Sequence, residues 1–203
     1  MIIVAEGPSA AGKTTWCLRN HPDRFLPEDS PRWRGATPEG RLNPLETAQF
    51  WTDFNCRRWA RADELEFRDG TAVCDTDPFK LHYSWCRWRV GDMRYWEWGY
   101  HRDAAGAAFA SGDLGLADLV VYFDDEVEKL RARRRGDAGR RRHRFDLHLR
   151  LRAPLREWYA AVDRLDPGRV AWEGPDGVRE GSPRAERTGV ALFGRLLQEL
   201  PYR

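Results

Sequence analysis

The sequence that decides the fold is Ile2-Ile3-Val4-Ala5-Glu6-Gly7-Pro8-Ser9-Ala10-Ala11-Gly12-Lys13-Thr14-Thr15. It begins with a short apolar run, which is typical of a strand buried on both faces of a parallel sheet. From Gly7 to Thr14 it matches the pattern GxxxxGK[ST] without a mismatch. Residues 13–20 are predicted to form a helix. A strand, this loop and a helix in that order indicate a loop that binds phosphate groups.

The phosphate-binding chemistry follows from the residue types in the loop. Glycine at positions 7 and 12 permits backbone conformations that a Cβ atom disfavours, so that the loop N–H groups can converge on a phosphate. Lys13 is expected to bridge the β- and γ-phosphates of ATP, and the Thr14 hydroxyl to ligate Mg²⁺. The residues expected to contact the nucleotide are Gly7, Ser9, Ala10, Ala11, Gly12, Lys13, Thr14 and Thr15.

The rest of the chain alternates short strands with helices. Further strands are predicted at 71–75 and 118–123, with shorter ones at 24–28 and 169–172. Helices are predicted at 45–68, from Pro78 onward, at 93–110, after residue 123 to about 135, at 143–164 and at 184–199. This alternation predicts a three-layer α/β fold in one domain over residues 1–203, with a five-stranded parallel sheet covered by helices on both faces.

Composition sets limits on location and partners. The chain has 203 residues, a formal net charge of +2 and 41% hydrophobic residues, as expected of a folded globular protein. We expect it to be cytoplasmic and to have no membrane partner, because it has neither an apolar run of about 18 residues nor a signal sequence. Its four cysteines and five histidines are scattered, without the spacing of a zinc site.

Positive charge is concentrated in residues 131–156, which hold eleven arginines and two aspartates. Beside a phosphate-binding loop, this pattern favours a lid at about 131–144 that closes over ATP, offsets charge in the transition state and excludes water. Arg131 and Arg135 are candidate catalytic residues, and Arg133 and Arg134 candidate nucleotide contacts. The alternatives are a solvated basic helix face and a patch that binds nucleic acid.

Acidic candidates follow the second clear strand, at Asp75 and Asp77. Ligands of open α/β sheets bind at the carboxyl ends of the strands, so these carboxylates are expected near the phosphate-binding loop. Either one is a candidate to hold Mg²⁺ together with Thr14, with Asp75 the first choice, or to accept a proton from the substrate. The alternative is that one aspartate simply caps the helix expected from Pro78.

Several of these residues coincide with the motifs of one family. The relevant segments are Ala10-Ala11-Gly12-Lys13, Pro27-Glu28 followed by Arg32-Trp33, Phe50 with Arg58, and Arg131-x3-Arg135-Gly136. In these motifs the chain resembles the deoxynucleoside kinases, within the wider group of P-loop nucleoside and nucleoside-monophosphate kinases. The resemblance implies that Glu28 is the general base near the 5′-hydroxyl of the substrate. It also implies that Trp33, Trp51 and Arg58 lie on the substrate side.

The chain departs from the family pattern on the acceptor side. The family's arginine after the acidic residue is replaced by Thr76, and a further lid arginine is replaced by Asp137. The glutamine that reads the base in the family falls at Trp51, whose indole can stack on a base but cannot make a bidentate amide contact. These changes leave the phosphoryl-donor half of the pattern intact.

We therefore predict a kinase that uses ATP and Mg²⁺ to phosphorylate a hydroxyl of a small, nucleoside-like acceptor. The alternatives are a kinase of a non-nucleoside metabolite or antibiotic, a nucleic-acid 5′-end kinase or binding protein, and a regulatory ATP-binding protein without transfer activity. A homodimer is left open.

Overall fold

The computed structural model describes residues 1–28, 41–136, 144–172, 174–177 and 183–201. Its sheet has the order β2-β3-β1-β4-β5, and every neighbouring pair is parallel. The predicted five-stranded parallel sheet is thereby confirmed. The strands are β1 (Ile2–Glu6), β2 (Phe25–Leu26), β3 (Ala72–Asp75), β4 (Leu119–Tyr122) and β5 (Val170–Ala171).

The helices of the described residues are α1 (Lys13–Asn20), α2 (Pro44–Asp69), α3 (Leu81–Arg89), α4 (Tyr95–Ser111), α5 (Val127–Gly136), α6 (Phe145–Arg150), α7 (Arg152–Leu165) and α8 (Val190–Glu199). The longest, α2, begins with a capping box in which the Asn43 side chain accepts the N–H of Glu46 and the Glu46 side chain accepts the N–H of Asn43. It ends at Gly70, whose φ of 74° is the left-handed conformation that glycine adopts most readily.

Three helix boundaries differ from the predictions. The helix expected at 143–164 is two helices, because Pro154 has no N–H to donate and its ring crowds the carbonyl of Arg150. The helix expected from Pro78 begins at Leu81, after a turn in which the N–H of Lys80 donates to the Pro78 carbonyl over 2.8 Å. The last helix begins at Val190 and not at residue 184.

Side chains alternate across the sheet, and both faces are covered. Ile2, Val4 and their neighbours on one face pack in a core with residues of α2, α3, α4, α7 and α8. Ile3 and Ala5 face the opposite way and pack against Cys17 of α1. Burial of alternate residues on two sides is what makes the strands almost continuously apolar. Nowhere in the described ranges does a helix have the length and apolar character needed to cross a membrane.

The late start of α8 has a tertiary cause. Asp118, just before β4, is buried and accepts the N–H groups of Ile2 and Arg184, each over 2.7 Å. The guanidinium of Arg187 donates to the same carboxylate over 2.8 and 2.5 Å, and to both carboxylate oxygens of Glu66 over 2.6 Å. These bonds hold the segment 184–187 against the sheet in a non-helical conformation.

Candidate active site

The phosphate-binding loop has a shape that its glycines make possible. Gly7 has a φ of 139°, and a Cβ atom there would lie 2.0 Å from the carbonyl oxygen of Phe123. No side chain can be accommodated at that distance, so the end of β4 requires glycine at position 7. Ala10 also has a positive φ, of 71°, and Gly12, with a φ of 99°, immediately precedes α1.

A cavity of about 770 Å³ opens over this loop. All eight loop residues predicted to contact the nucleotide line it, together with Glu28, Asp75 and Arg133. The cavity continues between α2, α3 and α4, where Trp51 and Tyr83 form part of the wall. Its volume lies within the range of small-molecule sites, and it joins the predicted donor side to the predicted acceptor side.

Two loop side chains already make polar contacts. The Lys13 ammonium donates to the carbonyls of Gly7 and Pro8 over 2.7 and 3.0 Å. The Thr14 hydroxyl donates to Oδ2 of Asp75 over 2.5 Å, which links the start of α1 to the end of β3. The register that pairs Ala5 with Asp75 brings these two elements together.

Asp75 has an environment in which a bound cation would stabilise its ionised carboxylate. Burial raises its pKa and the carboxylates of Glu28 and Glu6 raise it further, whereas the Thr14 hydroxyl and the Lys13 ammonium lower it. The described residues contain no group of three or more metal-binding side chains. Mg²⁺ fits a smaller donor set, since it is usually held by one or two protein groups together with phosphates and water.

Glu28 lies across the cavity in an ion pair with Lys80. Its side chain is 42% exposed. Burial raises the pKa of Glu28, but the charges of Lys80, Lys13 and Arg58 and the hydrogen bond from Lys80 together lower it to about 2. Glu28 is therefore ionised at neutral pH. Sequence reasoning missed Lys80, although it is one of only three lysines in the chain.

Asp77 lies outside the cavity wall and is buried. One carboxylate oxygen accepts the N–H of Phe79 over 2.9 Å and the other accepts the hydroxyl of Tyr159 over 3.2 Å. Burial and the nearby Glu6 carboxylate raise the pKa of Asp77 to about 7. These contacts correspond to the alternative in which one aspartate caps the turn before α3.

Glu6 was not among the predicted site residues. It is buried at the end of β1, and its two carboxylate oxygens accept the N–H groups of Gly7 and Asp77 over 2.9 and 3.0 Å. His82 lies 3.5 Å away. Burial raises the pKa of Glu6. The nearby His82, Lys13 and Lys80 lower it, and the net shift is downward. Glu6 thus joins the loop after β1 to the turn after β3. The sequence offered a signal for this residue, because Glu6 is a carboxylate at the end of an apolar strand, directly before the loop.

Arg58 lies behind the turn that follows β3 and does not line the cavity. It is buried, and its guanidinium donates to the carbonyls of Asp75, Thr76 and Asp77 over 3.1, 3.0 and 3.4 Å. Thr76 has a φ of 68°, a conformation that costs free energy in a β-branched residue. Arg58 stabilises this turn and thereby the backbone that carries Asp75.

The predicted lid is described only in part, since residues 137–143 lie outside the described residues, as does Trp33. Arg133 lines the cavity and pairs with Asp125 over 2.7 Å. The other three candidate arginines of α5 do not line it. Arg131 lies 3.6 Å from Glu128, Arg134 stacks over the Phe145 ring at 4.7 Å, and Arg135 is exposed.

The predicted acceptor side of the cavity is partly aromatic. Trp51 meets the Phe54 ring edge-on at 6.0 Å, and both residues line the cavity. The aromatic residues between 81 and 100 have mixed environments: Trp85 and Trp98 are fully buried in the core, whereas Tyr95, Trp96 and Tyr100 are exposed. A third residue that sequence reasoning missed is Asn55, which is one helical turn after Trp51 and also lines the cavity.

Three solved structures of deoxyadenosine kinase from M. mycoides have a similar fold. The complex with the products dCMP and a flexible dCDP has a TM-score of 0.60 at 13% identity, covering 84% of this chain and 88% of that chain. The complex with dCTP has a TM-score of 0.52 at 15% identity, covering 83% and 87%. The complex with dATP has a TM-score of 0.50 at 14% identity, covering 84% and 90%.

Sequence comparison alone finds less. No protein-family model matches the chain, and no curated protein matches it. The likeness to the solved structures therefore concerns the fold alone, and it supports the predicted three-layer α/β fold with a five-stranded parallel sheet.

Proposed function

We propose that the protein is a kinase that transfers the γ-phosphoryl group of ATP to a hydroxyl of a small, nucleoside-like acceptor. The observation that carries the proposal is one continuous cavity, which is lined by the phosphate-binding loop, by Asp75 and by Glu28 and then continues between α2 and α4. The similar solved structures contain dCMP, dCTP or dATP, which supports a nucleoside acceptor and a triphosphate donor.

On the donor side, the loop N–H groups are proposed to bind the β-phosphate, next to the N-terminus of α1. Lys13 exchanges its contacts with the Gly7 and Pro8 carbonyls for oxygens of the β- and γ-phosphates. Thr14 and Asp75 are the residues proposed to hold Mg²⁺, which offsets charge on the phosphates when bound. Arg131, Arg133, Arg134 and Arg135 are proposed to approach the phosphates from α5, and Arg133 already lines the cavity.

On the acceptor side, the hydroxyl oxygen forms a bond to the γ-phosphorus while the bond from that phosphorus to the β–γ bridging oxygen breaks. ADP leaves, and the hydroxyl proton passes to Glu28. A low pKa suits this role, because a loose transition state needs the base to be ionised and correctly placed more than it needs a strong base. Lys80 holds the carboxylate of Glu28 in place.

The test is transfer of labelled phosphate from ATP to a panel of nucleosides by the wild type and by Lys13→Ala. We expect the wild type to phosphorylate at least one nucleoside and Lys13→Ala to lose the activity while it keeps its unfolding transition. Lys129→Ala is the matched control, because this lysine is 59% exposed and lies on α5. Full activity of Lys13→Ala contradicts the mechanism. Turnover of other metabolites or antibiotics, but of no nucleoside, supports the alternative acceptor class.

A further inference from the structure

Asn55 has an unsatisfied polar atom in the wall of the cavity. The residue is 8% exposed, and its Oδ1 atom is buried without a hydrogen-bond partner. The other described residues with such atoms are Trp85, Trp98, Tyr122, Glu157, Trp158 and Arg169. None of those lines the cavity, and Asn55 does. An unpaired buried carbonyl costs free energy, and a ligand that supplies a donor removes this cost.

The surroundings of Asn55 suit an uncharged, planar ligand. Trp51 and Phe54 lie on the same helix and line the same cavity, with their rings perpendicular to each other. Thr52, which is close to Asn55 in the sequence, is buried. His101 is neutral at pH 7, because burial lowers its pKa to about 4.

The charged side chains of this part of the wall already have partners. Arg87 donates to Asp92 over 2.7 Å, and Glu97 accepts the N–H of Arg94 over 2.8 Å. At these residues a ligand therefore meets an aromatic surface and one unpaired amide, beside an ion pair and a carboxylate that already accepts a hydrogen bond.

We propose that the Asn55 carboxamide binds the heterocycle of the acceptor, an uncharged base that has an N–H donor next to an acceptor atom. The amide oxygen accepts this N–H, the amide nitrogen donates to the neighbouring atom, and an indole or phenyl ring packs on the flat face of the base. The χ2 angle of asparagine varies broadly, so the amide can turn to match the ligand. This assignment rests on the proposed function, because it takes the acceptor to be a nucleoside.

The test deletes each side of the hydrogen bond in turn. The nucleoside that the wild type phosphorylates best is compared with its analogue lacking the N–H at the base edge, for example deoxyadenosine with purine 2′-deoxyriboside. Each is assayed for kcat/KM with wild type, Asn55→Leu and Asn55→Ala. We expect the wild type to prefer the complete nucleoside by about 10- to 100-fold, which is the discrimination typical of one bidentate contact between an amide side chain and a base edge. We expect both variants to lose this preference.

Two further measurements separate recognition from a structural role. Without ligand, Asn55→Leu should unfold at the same temperature as wild type or higher, because it removes an unpaired buried carbonyl. Gln49→Ala removes an exposed amide from the same helix and should keep the wild-type preference. An undiminished preference in Asn55→Leu or in Asn55→Ala overturns the assignment. If the wild type phosphorylates no nucleoside, the proposed function and this assignment both fail, and that outcome is visible before any variant is made.

Discussion

Asp77 provides a test of how the two neighbouring aspartates divide their roles. It is buried away from the cavity, between the N–H of Phe79 and the hydroxyl of Tyr159. Asparagine has nearly the same shape and keeps an acceptor for the Phe79 N–H and a polar partner for Tyr159. The substitution Asp77→Asn therefore removes a buried charge without opening a cavity.

The size of the effect follows from the pKa of Asp77, which is raised from 3.8 to about 7. The folded protein binds this proton more tightly than the unfolded chain does. The stabilising contribution of the protonated carboxyl is therefore complete below pH 3.8 and is lost as the pH rises through about 7. A difference of about three pKa units, at 1.36 kcal/mol each, gives a cost of up to about 4 kcal/mol at pH 8.

We expect Asp77→Asn to be more stable than wild type by about 2–4 kcal/mol at pH 8, and the difference to shrink steadily towards pH 4. Urea unfolding, followed by tryptophan fluorescence at several pH values, measures this difference in stability. The contributions of the other titrating groups are common to both proteins and cancel. Asp75→Asn is the control two residues away, and we expect it to lose phosphoryl transfer while Asp77→Asn retains it. A less stable Asp77→Asn at pH 8, or a difference that is independent of pH, would refute the reasoning.

Two other predictions concern backbone shape and buried charge. Gly7→Ala should abolish binding of a fluorescent ATP analogue, because the new Cβ would lie 2.0 Å from a carbonyl oxygen. Gly99 lies in α4 with open space around it, so Gly99→Ala should raise the free energy of unfolding by about 0.5–1 kcal/mol. Arg187→Met should lower the free energy of unfolding by about 3 kcal/mol, because it removes the ion-pair partner of the buried Asp118. Arg195→Met breaks a half-exposed ion pair and should lower the free energy of unfolding by less than about 1 kcal/mol. An equal loss in both arginine variants would contradict this difference.

The fold could be predicted because its signals are local. Residues 2–15 contain a complete strand, loop and helix, and even the two-residue strands β2 and β5 lie within predicted strand segments. The start of α8 could not be predicted in the same way. It depends on hydrogen bonds from Arg184 and Arg187 to Asp118, which is 66 and 69 positions earlier in the chain. Helical periodicity carries no information about such a distant carboxylate.

The two halves of the site differ in the same respect. The proposed nucleotide side is a contiguous motif, so each loop residue could be placed on the cavity from the sequence. The ion pair of Lys80 with Glu28 joins residues 52 positions apart, and the unpaired Oδ1 of Asn55 is a property of the packed structure. No residue pattern predicts that a buried amide will lack a hydrogen-bond partner.

Arg58 supports the turn that carries Asp75. Where the family pattern has an arginine, this chain has Thr76, in a left-handed conformation that needs support. Arg58 supplies that support through three consecutive carbonyls, starting with that of Asp75. Its guanidinium therefore acts on the site through the position of Asp75, and we propose that recognition of the acceptor falls to groups one to two turns earlier on the same face of α2, where the aromatic wall and the unpaired amide lie.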